Sequence, residues 1–243
     1  MLEIYKIETL GALDGPGIRT VVFLQGCPMR CGYCHNADSW YSGEGKLMTC
    51  DDVFRSIIRH KPYYKNTGGV TFSGGEPLLQ AEKLLPLIHR LQGDGIHVAL
   101  DTSGCLVSEA GYQLLKAVDL VILDIKANDD ASYRKLTRHG IENPLHTLAY
   151  LNHIQKPYWI RQVILKGIND NVESVMQLEA LTFGKTREKL EVLPYHEMGA
   201  HKRKANQLHD KGNFEVPDAD SMRSLYNWLD INNTKNVLHE RRK

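Results

Sequence analysis

Six short runs of apolar, β-prone residues recur along the chain and predict its strands. Their nearly continuous apolar character is typical of strands that are covered on both faces. The six predicted strands are Thr20 to Gln25, Gly69 to Phe72, His97 to Leu100, Leu120 to Asp124, Trp159 to Ile164 and Leu190 to Leu193.

Helical patterns lie between these runs. Thr49 is the predicted N-cap of one helix, because Asp52 follows three residues later and Val53, Ile57 and Ile58 form an apolar stripe. Pro86 should kink the next helix or mark its true start. The further helices are predicted at Ala81 to Leu91, Ser108 to Ala117, Pro144 to Ile154, Val172 to Leu181 and Asp220 to Leu229.

The alternation of strands and helices predicts a parallel α/β architecture. About six such units suggest a partial barrel or a doubly wound sheet, and the hydrophobic pattern alone does not choose between them. The sequence shows no repeat, low-complexity tract or linker. We therefore expect residues 1–243 to form one domain.

Polar motifs follow the ends of the predicted strands. GCPMRC follows the first strand, SGGEP the second, DTSG the third, DIK the fourth and PYHEMG the last. In parallel α/β folds the loops beyond the carboxyl ends of the strands meet on one face. These motifs, although more than 160 residues apart at the extremes, are therefore expected to meet in one pocket.

Composition limits the range of functions. The 243 residues are 42% hydrophobic, and 30 basic residues against 29 acidic ones give a net charge of +1, which does not favour nucleic-acid or membrane-surface binding. The charged residues Glu3, Lys6 and Glu8 break up the beginning of the chain, which therefore lacks the uninterrupted apolar segment of a signal peptide. No apolar run approaches the ~20 residues of a membrane span. We expect a cytoplasmic protein whose cysteines stay reduced.

Three of the five cysteines lie close together, as Cys27, Cys31 and Cys34 in the spacing C-x3-C-x2-C. A structural zinc site needs four protein ligands, for which His35, Cys50 or Cys105 would have to serve. A [4Fe–4S] cluster held by three cysteines would instead leave one iron free to bind substrate. The spacing favours this open cluster over structural zinc, with unligated cysteines as the third alternative.

Several motifs together carry a family resemblance. The three-cysteine motif, with Tyr33 before its last cysteine, resembles the signature of the radical S-adenosylmethionine (SAM) enzymes. Four longer motifs make the resemblance more specific, to the pyruvate formate-lyase activating enzymes. They are DGPGIR (14–19), QGCPMRCGYCHN (25–36), SGGEPLLQ (73–80) and LPYHEMG (193–199). The resemblance covers nearly the whole chain in the same motif order.

The resemblance implies a fold and a chemistry. The fold is α/β, a partial (β/α)6 barrel of the radical SAM type, with a [4Fe–4S] cluster beyond the first strand. SAM would bind the open iron through its amino and carboxylate groups. Reductive cleavage of SAM would then give a 5'-deoxyadenosyl radical that abstracts hydrogen from a glycine of pyruvate formate-lyase.

The resemblance also assigns site residues. Cys27, Cys31 and Cys34 would hold the cluster. Asp101, Thr102 and Asp124 would hold a monovalent cation. Glu76 either contributes to the SAM motif or only secures its loop. The positions that match SAM contacts are Tyr33, Cys34, His35, Asn36, Gly74, Gly75, Asp101, Asp124, Ile125, Lys126, Arg161, Val163 and His196.

The same resemblance predicts the partner proteins, and alternative functions are considered beside it. We expect a monomer that acts on pyruvate formate-lyase and receives electrons from flavodoxin or ferredoxin. Arg203, in the basic run HKRK, stands where relatives often have an aromatic residue, so this run is either a solvated segment or a surface for the partner. The alternatives are an activase of a different glycyl radical enzyme, an enzyme that modifies a small molecule or RNA base, and a zinc-stabilised binding module.

Overall fold

Eight strands form one sheet in the part of the chain that the computed structural model describes, residues 1–106, 108–205 and 214–232. The strands are β1 (Leu2–Gly11), β2 (Arg19–Leu24), β3 (Lys46–Met48), β4 (Gly69–Gly74), β5 (His97–Thr102), β6 (Leu120–Asp124), β7 (Tyr158–Ile164) and β8 (Arg187–Pro194). All six predicted strands are confirmed, with ends that differ by up to three residues. The prediction missed β1 and β3.

The strand order is β3-β1-β2-β4-β5-β6-β7-β8. β2 pairs in parallel with β4, and from β4 onward each strand pairs in parallel with the next one in the chain. β1 runs antiparallel to both β2 and β3. A doubly wound sheet would require the order to reverse at a switch point. The unreversed order of six parallel strands is that of a partial barrel, with β3 and β8 at its open edges.

Helices connect the parallel strands and cover the outside of the sheet. They are α1 (Cys50–Ile58), α2 (Lys61–Tyr64), α3 (Ala81–Gly93), α4 (Glu109–Ala117), α5 (Asp130–Thr137), α6 (Glu142–His153), α7 (Val172–Thr182), α8 (Ala200–Ala205) and α9 (Ala219–Ile231). The sequence predicted α1, α3, α4, α6, α7 and α9. In the described part of the chain, no helix has the length and apolar character that crossing a bilayer requires.

Two predictions about helix chemistry had different outcomes. Thr49 caps α1 as predicted, in a reciprocal capping box with Asp52. Pro86, however, is not the start of α3, which begins five residues earlier at Ala81. Pro86 lies on the exposed face of that helix, where water can satisfy the carbonyl that loses its hydrogen bond.

The two faces of the sheet are built differently. Side chains that point outward pack with the helices into the main core, as Leu100, Leu123 and Ile160 do. Side chains that point inward form only a small apolar cluster around Ala99 and Ile122. Above that cluster the inward positions become polar, and this polar region forms the floor of the candidate site.

Candidate active site

The cluster motif lies in the loop that follows β2. All three cysteines, Cys27, Cys31 and Cys34, line one cavity of about 250 Å³ at the carboxyl ends of the strands. Four of the five polar motifs predicted to converge meet here, since residues of GCPMRC, SGGEP, DTSG and DIK line the same cavity, whereas no residue of PYHEMG does. β7 contributes Arg161 and Val163.

Backbone hydrogen bonds fix the shape of the cysteine loop. The Cys27 amide donates to the Trp40 carbonyl at 3.0 Å. The amides of Arg30 and Gly32 donate to the last carbonyls of α5, those of Thr137 and Leu136, each at 3.0 Å. The loop is thus held between its own continuation and the end of a helix about a hundred residues further on.

Burial favours the protonated form of the three thiols in the protein alone. Burial raises the pKa of Cys31 to about 12 and also raises the pKa of Cys27 and Cys34. Cluster assembly would therefore release thiol protons. Of the remaining cysteines, Cys50 lies on α1, and Cys105 has its Sγ 4.0 Å from the Glu76 carboxylate.

A single metal ion fits this arrangement less well. Among the residues that the structure describes, no group of three or more His, Cys, Asp or Glu side chains converges closely enough to hold one ion. In a [4Fe–4S] cluster each thiolate binds a separate iron, so the three sulfurs need not converge. The donor set therefore suits a cluster better than zinc.

Gly74 and Gly75 bring the SGGEP loop against the cysteine loop. Gly74 has a φ of +111°, and a Cβ there would lie 2.3 Å from the Leu24 amide nitrogen. A Cβ on Gly75 would lie 2.0 Å from the Gly26 carbonyl oxygen. Only glycine permits this close approach of two backbones, and the same two glycines line the cavity where the resemblance places the methionyl part of SAM.

Glu76 secures the loop and does not line the cavity. Its carboxylate accepts hydrogen bonds from the hydroxyl groups of Thr102 and Ser103, each at 2.5 Å, and from the amides of Ser103 and Leu78. The side chain is only 1% exposed. Of the two roles considered for Glu76, the geometry supports the structural one, which joins the SGGEP and DTSG motifs.

A charged network lines the inner wall of the barrel. Arg161 donates from Nε to Glu191 at 2.8 Å and from Nη1 to Asp101 at 3.2 Å. The Ser73 hydroxyl also donates to Asp101, at 3.0 Å. Burial raises the pKa of Asp101 to about 6, although the positive charge of Arg161 opposes this. The Asp101 carboxylate is therefore held in place beside the cavity.

Asp124 and Lys126 face the cavity as a salt-bridged pair. Burial alone would lower the pKa of Lys126, but the negative charge of Asp124 raises it well above its ordinary value. Asp124 Oδ1 and the Tyr33 hydroxyl are both buried without a hydrogen-bond partner in the described residues. Both residues line the cavity, and buried polar atoms of this kind normally have a hydrogen-bond partner.

Two predicted SAM contacts lie outside the cavity lining. The Ile125 side chain is fully buried in the main core, although its amide donates to the Arg161 carbonyl at 2.9 Å. His196 is exposed at the rim, where its ring stacks on His35 with 3.8 Å between the centroids. Burial and His196 lower the pKa of His35 to about 4, so its ring is neutral near pH 7.

The remaining predicted positions line the cavity, namely Asn36, Thr102 and Val163. Sequence reasoning did not single out Asp14, Trp40, Ser73 and Ser103, which also line it. Burial raises the pKa of Asp14, against the effect of Arg161. The signal that could have found Asp14 is the motif DGPGIR, in which Gly15 and Gly17 have positive φ angles.

Two residues of the basic run HKRK, Lys202 and Arg203, are not freely solvated. Arg203 is only 8% exposed and donates to the Cys34 carbonyl at 2.9 Å and the Tyr195 hydroxyl at 2.7 Å. Lys202 donates to the Tyr5 hydroxyl at 2.7 Å. A buried cation beside the cysteine loop thus stands where the resemblance leads us to expect an aromatic residue.

Comparison with known proteins places this site in a family. A family model described as a 4Fe-4S single cluster domain matches residues 13–144. A pyruvate formate-lyase-activating enzyme from Clostridium pasteurianum is 40% identical over 236 residues, covering 94% of this chain and 97% of the relative. The enzyme of that name from Staphylococcus epidermidis is 38% identical over 240 residues, covering 95% and 96%.

Solved structures agree in fold. A domain of a pyruvate-formate lyase-activating enzyme from Bacteroides vulgatus superposes with a TM-score of 0.57 at 23% identity, covering 70% of this chain and 98% of that one. A radical SAM methyltransferase from Sphaerobacter thermophilus gives 0.64 at 16%, covering 90% and 65%. SuiB from Streptococcus suis, bound to S-adenosylmethionine, gives 0.65 at 18%, covering 84% and 44%. By its sequence relatives, this chain belongs to the family of the pyruvate formate-lyase-activating enzymes.

Proposed function

We propose that this protein is the activase of a pyruvate formate-lyase and creates a glycyl radical in that enzyme. The observation that carries the proposal is the convergence of three buried cysteines with the glycine, aspartate and lysine motifs on one cavity. Family membership over about 95% of the chain supports the same activity. When bound, a [4Fe–4S] cluster and SAM supply a 5'-deoxyadenosyl radical that can take a hydrogen atom from a glycine Cα.

The residues of the chain would divide the work among them. Cys27, Cys31 and Cys34 would each hold one iron and leave the fourth iron for SAM. The backbone at Gly74 and Gly75 lies close enough to the cysteine loop to position the amino-acid part of SAM beside that iron. These assignments rest on their placement around one cavity.

The charged wall would orient SAM and any cation. Lys126 is suited to the SAM carboxylate, and the Asp124 carboxylate that pairs with it also belongs to the cavity lining. Asp101 and Thr102, together with Asp124, would hold a monovalent cation through hard oxygen ligands. The Thr102 hydroxyl already donates to Glu76, so it would offer the cation its remaining lone pair.

The partner would present its glycine in an extended segment, because a backbone Cα must reach the open side of the cavity. Flavodoxin or ferredoxin would supply the electron. A monomeric, cytoplasmic protein with one domain over residues 1–243 completes the proposal. None of these features requires a basic surface, in keeping with the net charge of +1.

The test is an anaerobic reconstitution with iron, sulfide, a reductant, SAM and pyruvate formate-lyase. We expect a glycyl radical signal in the lyase by electron paramagnetic resonance (EPR), and none with the Cys31→Ser variant. SAM cleavage without a radical in this lyase, but with a radical in another glycyl radical enzyme, would redirect the proposal to that enzyme. Zinc without sulfide in anaerobically purified protein would reject the catalytic function altogether.

A further inference from the structure

Arg203 of α8 is a buried cation in contact with the cysteine loop. Its Nη1 donates to the carbonyl of Cys34 at 2.9 Å, and its Nη2 donates to the hydroxyl of Tyr195 at 2.7 Å. Tyr195 is itself only 1% exposed. The guanidinium is therefore fixed in position on both sides, next to the third ligand of the cluster.

No carboxylate among the described residues forms an ion pair with Arg203. Lys126, a half-buried cation near the cysteines, differs in this respect because it pairs with Asp124. The charge of Arg203 is thus not cancelled locally.

Arg30 provides an instructive contrast within the same loop. Its Nη1 donates to the Cys27 carbonyl at 2.6 Å, and its guanidinium lies over the Trp40 ring at 5.2 Å. Arg30 is half-buried, whereas Arg203 is buried. Water screens a charge that it reaches, so Arg203 should act on the cluster more strongly than Arg30 does.

The physical effect of such a charge is on reduction. When a cluster gains one electron from a flavodoxin- or ferredoxin-type donor, the donor loses that electron and the cluster gains one negative charge. A nearby positive charge in a water-poor environment stabilises the more negative form. We propose that the positive charge of Arg203 raises the reduction potential of the cluster held by Cys27, Cys31 and Cys34.

The experiment is a redox titration of the reconstituted protein with dithionite, followed by EPR of the reduced cluster in the absence of SAM. Arg203→Gln keeps a hydrogen-bond donor and removes the charge. We expect it to lower the equilibrium constant for reduction about tenfold, which is 59 mV for a one-electron couple. Arg203→Lys keeps the charge and should stay within about threefold of the wild type.

Two further variants complete the design. The matched control is Arg223→Gln, because Arg223 is an exposed arginine on α9 that pairs with Asp220. This substitution should leave the reduction potential unchanged. Arg203→Phe carries an aromatic residue of the kind that the resemblance leads us to expect at this position. It should show the same lowered potential as the Gln variant.

Three outcomes would overturn the proposal. One is that the Arg203→Gln protein, with its full content of cluster, has the same reduction potential as the wild type. Another is a potential in the Lys variant as low as that of the Gln variant, which would show that geometry and not charge matters. The third is loss of the cluster from both neutral variants, which would assign Arg203 a purely structural role. The inference needs the cluster but not the partner, so its failure would leave the proposed function standing.

Discussion

The outer and inner faces of the same sheet follow opposite rules. On β7, Ile160 and Ile164 point outward and are fully buried in the apolar core, while Arg161 and Val163 point inward and line the cavity. On the outer face, apolar side chains of similar volume contribute similar amounts to the stability of the fold. On the inner face a buried charge needs a specific partner of opposite charge, as Arg161 needs Glu191 and Asp101. The outer face therefore determines stability, and the inner face determines chemistry.

The strongest test of this division removes a cluster ligand from the inner side. Cys31→Ser should lower iron and sulfide per chain roughly tenfold or more, because a hydroxyl replaces the thiolate that iron prefers. Metal analysis and the visible absorbance of the reconstituted protein measure this. Cys50→Ser, on α1 and outside the cavity, should keep the cluster. Full cluster content in the Cys31→Ser protein would remove Cys31 from the ligand set.

The matching change on the outer face is Ile160→Ala. Ile160 is fully buried, so the cavity left behind should lower the free energy of unfolding by about 3 kcal/mol. Urea unfolding of the cluster-free protein measures the change. Ile231→Ala is the control, because Ile231 is 82% exposed and should change stability little. An equal loss in both variants would contradict the burial argument.

Glu76 tests whether a residue within a site motif can act as part of the scaffold. In Glu76→Gln an amide donor would face the donors of Ser103, and the unsatisfied group should lower stability by about 2 kcal/mol. Thermal unfolding measures this, with the exposed Glu82→Gln of α3 as control. Unchanged thermal stability in the Glu76 variant would mean that its hydrogen bonds do not hold the loops together.

The smallest expected effect concerns pH. Burial, and after it the charge of Arg19, lower the pKa of His97 from its ordinary 6.5. The unfolded chain therefore binds this proton more readily than the folded one, and stability should fall as the pH drops below about 6.5. His97→Asn should lessen the fall in Tm between pH 7 and 5 by about 2 °C. His89→Asn, on the exposed face of α3, should follow the wild type; an identical fall in the His97 variant would contradict the shift.

Much of the fold could be predicted because parallel strands carry continuous apolar runs. The strand β1 escaped prediction since its apolar residues Leu2 and Ile4 alternate with polar ones and β1 runs along the edge of the parallel set. The helix α5 was missed although Asp129 caps it, because its apolar stripe is weak and interrupted by charges. Local patterns detect elements that bury many residues and miss those that bury few.

The candidate site was predicted as a set of motifs, and the structure brings nearly all of them to one cavity. What the sequence could not supply was the pairing between distant residues. Glu76 joins two motifs through Ser103, and Arg203 reaches Cys34 across 169 positions. Such contacts depend on the tertiary fold and leave no trace in spacing or hydrophobic period.

The hydrogen bonds from the cysteine loop to the end of α5 have one more consequence. They tie the backbone at Arg30 and Gly32 to a helix about a hundred residues further along the chain. Each of these bonds restricts the conformations open to the loop, and so reduces the ordering entropy that binding of iron and sulfide would otherwise cost.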